Sequence, residues 1–600
     1  MTQQVGKRTL AALGLLCTLT AGAQQVSAPA AGQRITVQGQ KDPSKWFKAE
    51  SQHFVVYSDT TQKSVVLLLN NMERLDYLLR VYTKAYFKNQ AHAPKLTLYY
   101  HDKVGALDGH GSTPPADAVG VYSSCSAGVQ AAGVELTPVV QVDNAVLAKA
   151  TDNDTLSFLF EGYARHFLYR HTDIRAPLSF VDGFARYFAN TRFSDDQLVV
   201  GKTPLGVGSY LNFLEEGHPY NLSYADVLDD VDSRPNGHAS AAAVKLEFAA
   251  RSWLLTHYML SSEENRSHLA RYLTLANRDM PASQAFETAF GIKPAAIGNI
   301  LWRYRLSAAK VMQVQVDTLP TASIAFSGLP DAVSDYVMID AALKSCPGRA
   351  TGEALLRRMS AKPGGTPNHP LAHLALSRAQ IDWGHPQDAI AYLSTLAGDR
   401  RSAEATYLLG LAHLRIASHQ QGADKAASME SARTLLADAV NANPSSPEAA
   451  YALLRAEIDS GDAPTETALT AAQLAWDNGH EVNEYARTAA LLLAYAGNSA
   501  KSRQALSVLA HNRRDPAMAS WAKQWQERLL AGIDSSELLA ELRRPPTAKA
   551  AFRDWTIASD SVVQAVVASA GAENARRYFE GLGSDPSVPE KMITNTPFTR

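Results

Sequence analysis

The sequence predicts an α+β domain followed by an all-α solenoid of paired helices. Between residues 46 and 311, stretches rich in aromatic and branched residues alternate with runs of helical period. From 367 to 530 the chain becomes Ala- and Leu-rich, with helical pairs recurring at a period of roughly 34 residues. Between the two lies a Pro- and Gly-containing stretch, 312–366, ending in Pro363-Gly364-Gly365. It reads as a linker with one short helix near 331–345, because domain boundaries fall in such exposed segments. A chain of 600 residues is long enough for two or more domains.

The first element, 1–23, reads as a secretory signal. Lys7 and Arg8 give a positive start, Leu10 to Leu19 a short apolar run, and Ala21-Gly22-Ala23 a small-residue cleavage pattern. The run is too short to cross a bilayer, and Leu16 is bulky where lipid attachment at Cys17 wants a small residue. The mature chain is expected to begin at Gln24, exported to the periplasm or the exterior, with no transmembrane segment. Residues 24–45, rich in Gln, Ala, Ser and Gly, read as a flexible linker.

Trp46 to Ser58 then reads as a strand, with apolar and aromatic residues after Ser51. Residues 62–87 carry a helical period through Val66, Leu69, Met72, Leu75, Leu78, Leu79 and Tyr82. Lys95 to Tyr100 is a second strand, and 105–134 is glycine-rich. Thr155 is placed to cap the helix that carries Glu161 and Arg165. Residues 239–259 suggest a long Ala-rich helix. The clearest repeat of the second region holds Tyr407 to Gly410, then Ala432, Leu436, Ala439 and Pro444, with extra residues near Ser418–Ala427 lengthening its turn. Trp521 and Trp525 fall in a capping helix, 534–582 has helical period, and the Pro-containing end reads as a disordered tail.

Net charge is −2, which gives no footprint for a nucleic-acid partner. Cys125 and Cys346 lie in different predicted segments, so two unpaired thiols are expected, although an exported compartment permits a disulfide.

Residues 156–170 and 177–189 carry the chemistry. The first reads Leu-Ser-Phe-Leu-Phe-Glu-Gly-Tyr-Ala-Arg-His-Phe-Leu-Tyr-Arg, and the second Pro-Leu-Ser-Phe-Val-Asp-Gly-Phe-Ala-Arg-Tyr-Phe-Ala. Together they resemble the two halves of a gluzincin site, as found in the peptidase-MA-like domain of bacterial secreted proteins. In that family one helix carries H-E-x-x-H and the next carries a Glu ligand. The strand around Trp46–Ser58, the segment Ser252-Trp253 and the closing Ala285-Phe286 with Ala289-Phe290-Gly291 follow the same family order. The resemblance covers roughly 46–306 and implies a zincin-like α+β fold, with an exposed hairpin-like arm over 197–213 after the second helix. The second region similarly resembles tetratricopeptide repeats, with imperfect consensus, and implies an α-solenoid with a binding groove.

Laid on the gluzincin pattern, the two His positions fall on Glu161 and Arg165, the catalytic Glu on Gly162, and the third ligand on Asp182. The family chemistry needs two imidazoles one turn apart on zinc and a neighbouring Glu as general base. Arg offers no lone pair to a metal, and glycine offers no base. No metal or cofactor is therefore expected, and no catalytic residue is assigned. Glu161 and Arg165 stand four apart with the acid first, the favourable order on a helix. The Arg165 guanidinium is expected to fill the metal's place and bridge Glu161 and Asp182. His166 and His171 are five apart, which points them in different directions, and they read as surface or hydrogen-bonded histidines.

These substitutions imply a pseudo-peptidase. Its expected partners are a protein or peptide, bound in the tetratricopeptide-like groove and in the peptidase-like cleft, where an edge strand could take an extended segment. Two alternatives stand beside it. One is an active hydrolase built from Asp182 with His166 or Glu161 with His171, although Ser123-Ser124 lacks a G-x-S-x-G elbow. The other is a structural scaffold of the envelope.

Overall fold

Strands β1 (Phe47–Glu50) and β2 (Phe54–Ser58) form an antiparallel hairpin whose alternate residues enter the core, as the pleat requires. In this computed structural model the described residues are 46–557. They exclude 84–92, 103–106, 108–109, 112, 116–117, 136–139, 143–144, 149–155, 195–196, 216–220, 232–240, 279, 309–310, 316–317, 362–364, 397–400 and 546–551. The expected signal segment 1–23, the linker 24–45, Thr155 and the tail beyond 557 lie outside them.

Helix α1 (Gln62–Thr83) crosses over to β3 (Leu96–His101), which runs parallel to β2. The hairpin of β4 (Ala118–Cys125) and β5 (Gly128–Val134) follows, with β5 parallel to β3. A small ribbon, β6 (Val140–Val142) with β7 (Ala145–Ala148), precedes α2 (Ser157–His171) and α3 (Leu178–Ala189). Leu156 holds the cap position of α2 and makes no side-chain cap bond. Strands β8 (Arg192–Phe193) and β9 (Gln197–Val200) lead into α4 (Leu205–Glu215), so the second half of the expected arm is helical. Helices α5 (Tyr224–Leu228), α6 (Ala241–Leu260), α7 (Glu263–Ala276), α8 (Ala282–Phe290) and α9 (Pro294–Ala308) complete the region.

Two glycines set how closely these layers pack. A Cβ on Gly133 of β5 would come within 2.5 Å of Leu159, so glycine lets α2 lie directly on the sheet. A Cβ on Gly183 would meet Thr256 Oγ1 at 2.1 Å and the Ser252 carbonyl at 2.4 Å, so α3 and α6 touch backbone to side chain there.

Residues 312–366 are not a linker. They hold β10 (Met312–Gln315), which joins β9, then β11 (Ala325–Gly328), which pairs with β1, and helices α10 (Ser334–Lys344) and α11 (Arg349–Ser360). Helix α10 is apolar on two faces. Val337 and Ala341 enter the core of the sheet region, while Tyr336, Ile339 and Leu343 pack with Ala372, Ala375 and Ala379 of the following helix. The described residues all fall in one compact unit.

The same helix explains the cysteines. Gln130 of β5 donates to the Ala341 carbonyl, which brings the end of α10 to the tip of the β4–β5 hairpin. Cys125 and Cys346 form a disulfide there, contrary to the expected free thiols. Sequence segments read in isolation gave no sign that α10 docks on that hairpin.

The second region is all-helical: α12 (Pro370–Trp383) with α13 (Pro386–Leu393), α14 (Ala403–Ala417) with α15 (Gly422–Ala442), α16 (Pro447–Asp459) with α17 (Glu466–Asn478), α18 (Asn483–Tyr495) with α19 (Ser499–Ala510), then α20 (Pro516–Ala531) and α21 (Ser535–Leu542). Ser402, Ser446, Thr465, Asn498 and Asp515 each cap a helix by accepting a backbone N–H three residues on. The extra residues near 418–427 lengthen helix α15 rather than its turn. Part of the expected C-terminal helical stretch is a strand, β12 (Phe552–Ile557), antiparallel to β4. The sheet therefore runs β11-β1-β2-β3-β5-β4-β12.

Candidate functional site: an arginine–carboxylate cluster

Helix α2 rests on the sheet and is buried along most of its length, including Arg165, His166 and Arg170. One helical turn separates Glu161 from Arg165, so the two side chains share a face. Arg165 Nη2 lies 3.0 Å from Glu161 Oε1, its Nε lies 3.3 Å from Asp182 Oδ1 on α3, and its Nη1 lies 2.6 Å from Asp554 Oδ2 on β12. The expected bridge between Glu161 and Asp182 is present, and a third carboxylate joins it.

Two further guanidiniums complete the cluster. Arg186, one turn after Asp182 on α3, lies 3.3 Å from Glu161. Arg514, in the turn between α19 and α20, bonds Asp182 directly and lies 3.2 Å from Asp554. Three arginines thus alternate with three carboxylates. Arg186 could be sensed from its spacing to Asp182; Arg514 and Asp554 carry no local signal in the sequence.

The Arg165 side chain is only 9% exposed. Burial opposes its charge, but Asp554, Asp182 and Glu161 outweigh that and raise its pKa above the ordinary value. Burial likewise works to raise Asp182, yet Arg514, Arg165 and Arg186 hold it down to about 2. Gly162 presents no functional group, and a Cβ there would meet nothing within 4 Å. It borders a cavity of about 30 Å³ with Tyr122, His166 and Thr556. Among the described residues, no group of three or more His, Cys, Asp or Glu side chains is placed to hold a metal ion.

The alternative acid–base pairs are not assembled. His166 is buried with Nδ1 2.9 Å from the Tyr122 hydroxyl, while Asp182 is engaged by Arg165 and Arg514. His171 packs on Phe167, and ten residues of one helix separate it from Glu161, a rise of about 15 Å. Burial, helped by Arg170, lowers the His166 pKa to about 3.

That shift has a sign. Between about pH 6.5 and 3 the unfolded chain binds the His166 proton and the folded chain does not, so stability falls as pH drops through that window. Burial also lowers His257, to about 4, so it adds to the same slope. His166→Gln should flatten the fall in denaturation midpoint between pH 6 and pH 4 without abolishing it. An unchanged slope would contradict this.

The helical region closes over the C-terminal end of α2. Arg170 is bound through its fork by Glu481, Arg175 donates to the His480 carbonyl at 3.0 Å, and Asp173 meets His480 at 2.8 Å and Gln504 at 3.0 Å. Tyr485 donates to the Ser126 carbonyl at 3.1 Å. Among the described residues, no helix is long and apolar enough to cross a membrane. Comparison of the chain with family models, curated proteins and solved structures finds no match.

Proposed function

We propose that this protein is an exported pseudo-peptidase. In this reading a metallopeptidase-like domain, lacking zinc ligands and general base, serves as a peptide- or protein-binding module joined to a tetratricopeptide-like interaction domain. One observation carries it. The positions that the gluzincin resemblance assigns to zinc ligands, Glu161, Arg165 and Asp182, are tied to one another by a buried guanidinium. Asp182 Oδ1 is bonded by both Arg165 and Arg514, and Arg165 has no lone pair to give. At the position of the general base stands Gly162.

The arrangement supports binding and positioning rather than bond cleavage. A fork of guanidiniums suits carboxylate recognition. The mixed α/β region with its seven-stranded sheet and the all-helical region after it are compatible with the two resemblances. Export rests on the pattern of residues 1–23.

Full-length protein incubated with a random peptide mixture should release no products, with or without a chelator. Cleavage that a chelator abolishes and Asp182→Asn lowers would overturn the reading. Chelator-insensitive cleavage would overturn it in favour of a hydrolase built from other residues.

A further inference from the structure

Strand β12 completes the cluster from the edge of the sheet. Without β12 the sheet would end on β4, whose eight residues are all buried. The ladder runs from Phe552 opposite Ser124 to Ile557 opposite Ala118, with an irregularity between Thr556 and Ile557. By contrast with β4, residues 552–556 of β12 are only half-buried. An added strand held by main-chain bonds and shallow side-chain contacts is the arrangement of β-augmentation, carried out here within one chain.

Charge identifies the occupant. On the acceptor side stand Arg165, Arg186 and Arg514 against Glu161 and Asp182, three positive groups against two negative. Asp554 supplies the missing carboxylate, shared between Arg165 at 2.6 Å and Arg514 at 3.2 Å. Strand alternation puts Phe552, Asp554 and Thr556 on one face. On that face Phe552 meets the Tyr122 ring at 6.4 Å between centroids, and Thr556 borders the cavity beside Gly162. On the other face Arg553 donates to the Ser345 carbonyl at 2.7 Å, next to the disulfide.

We infer that the β4 edge is a recognition site for an extended peptide of another protein with the pattern aromatic-x-acidic-x-Thr, and that β12 occupies it in cis as a reversible lock. Arg165 and Arg514 read the acid. A partner segment displaces β12 and restores the same charge balance. This inference rests on the peptide-binding reading above but concerns where the peptide sits and what it must carry.

The test uses full-length protein and a labelled peptide of the sequence Ala551–Ala558. Asp554→Ala should weaken the lock and raise peptide affinity at least about tenfold over the wild type, because the site loses its own charged partner. Arg553→Ala should act in the same direction, since it frees β12 from Ser345 and leaves the cluster's charges intact. In both variants a peptide with Asn in place of its Asp should bind at least about tenfold more weakly. Equal binding of the Asp and Asn peptides would overturn the acid readout. Failure of the peptide to bind either well-folded variant would overturn the strand-exchange site, while an absence of cleavage activity would still leave the pseudo-peptidase reading standing. A concentration-dependent dimer that the peptide dissociates would assign the edge to a second copy and overturn the assignment to another protein.

Discussion

Glu481→Ala should destabilise the protein by about 3–5 kcal/mol, the cost of leaving a buried charge without its partner. The Arg170 side chain at the end of α2 is 6% exposed and that of Glu481 is fully buried. The Arg170 Nε lies 2.9 Å and 3.0 Å from the two Glu481 oxygens, and Nη2 also bonds the carboxylate. Nη1 donates to the Pro94 carbonyl at 2.9 Å, which alone cannot offset desolvation of the cation. The pair also fastens the helical region to α2, next to the contacts of Arg175 and Asp173 with His480. Alanine should therefore lower the thermal midpoint and loosen that junction together. The double change Arg170→Met with Glu481→Leu should cost much less, because it removes both charges and keeps volume. A Glu481→Ala midpoint equal to that of the wild type would show that the pair does not hold the two regions.

Arg165→Ala should cost about 3 kcal/mol, the low end of the same range. It takes one guanidinium from three carboxylates, but Arg186 still reaches Glu161 and Arg514 still reaches Asp182 and Asp554. Arg165→Lys should recover only part of the loss, since a point charge cannot reach three carboxylates as a planar fork does. A cycle pairing Arg165→Ala with Asp182→Asn should show coupling, as expected for groups in one network. Additive effects of the two changes would contradict a shared cluster.

Contrast between Arg165 and Glu481 shows what the chain made legible. Glu161 and Arg165 are one turn apart on a helix, and Asp182 follows on the next, so local spacing plus a family resemblance was enough to place all three together. The main helices and the first strands were readable for the same reason, a clear period over many residues. Arg514, Asp554 and Glu481 were not readable. Each reaches its partner across hundreds of residues, 389 between Arg165 and Asp554 and 311 between Arg170 and Glu481, and no periodicity encodes such contacts.

The misread segments have a common cause. Phe-Arg-Asp-Trp-Thr-Ile at 552–557 has no clean alternation, because one face carries an acid meant for the arginine cluster and the other carries Arg553. Inside a longer helical pattern it looked helical, and only pairing with β4 makes it a strand. The short helix near 331–345 was legible in 312–366, but the Pro and Gly content made the stretch read as a linker, because nothing local shows that this helix buries two faces at once or that β10 and β11 pair with β9 and β1. The disulfide follows from where that helix docks and could not precede it.

Zinc content of the purified full-length protein, measured per chain without added chelator, tests the central claim most directly. With Arg165 set between Glu161 and Asp182, zinc should be well below one atom per chain and unchanged in Asp182→Asn. One zinc per chain, lost in Asp182→Asn, would mean that the guanidinium does not hold the metal's place, and the account of the site would be wrong.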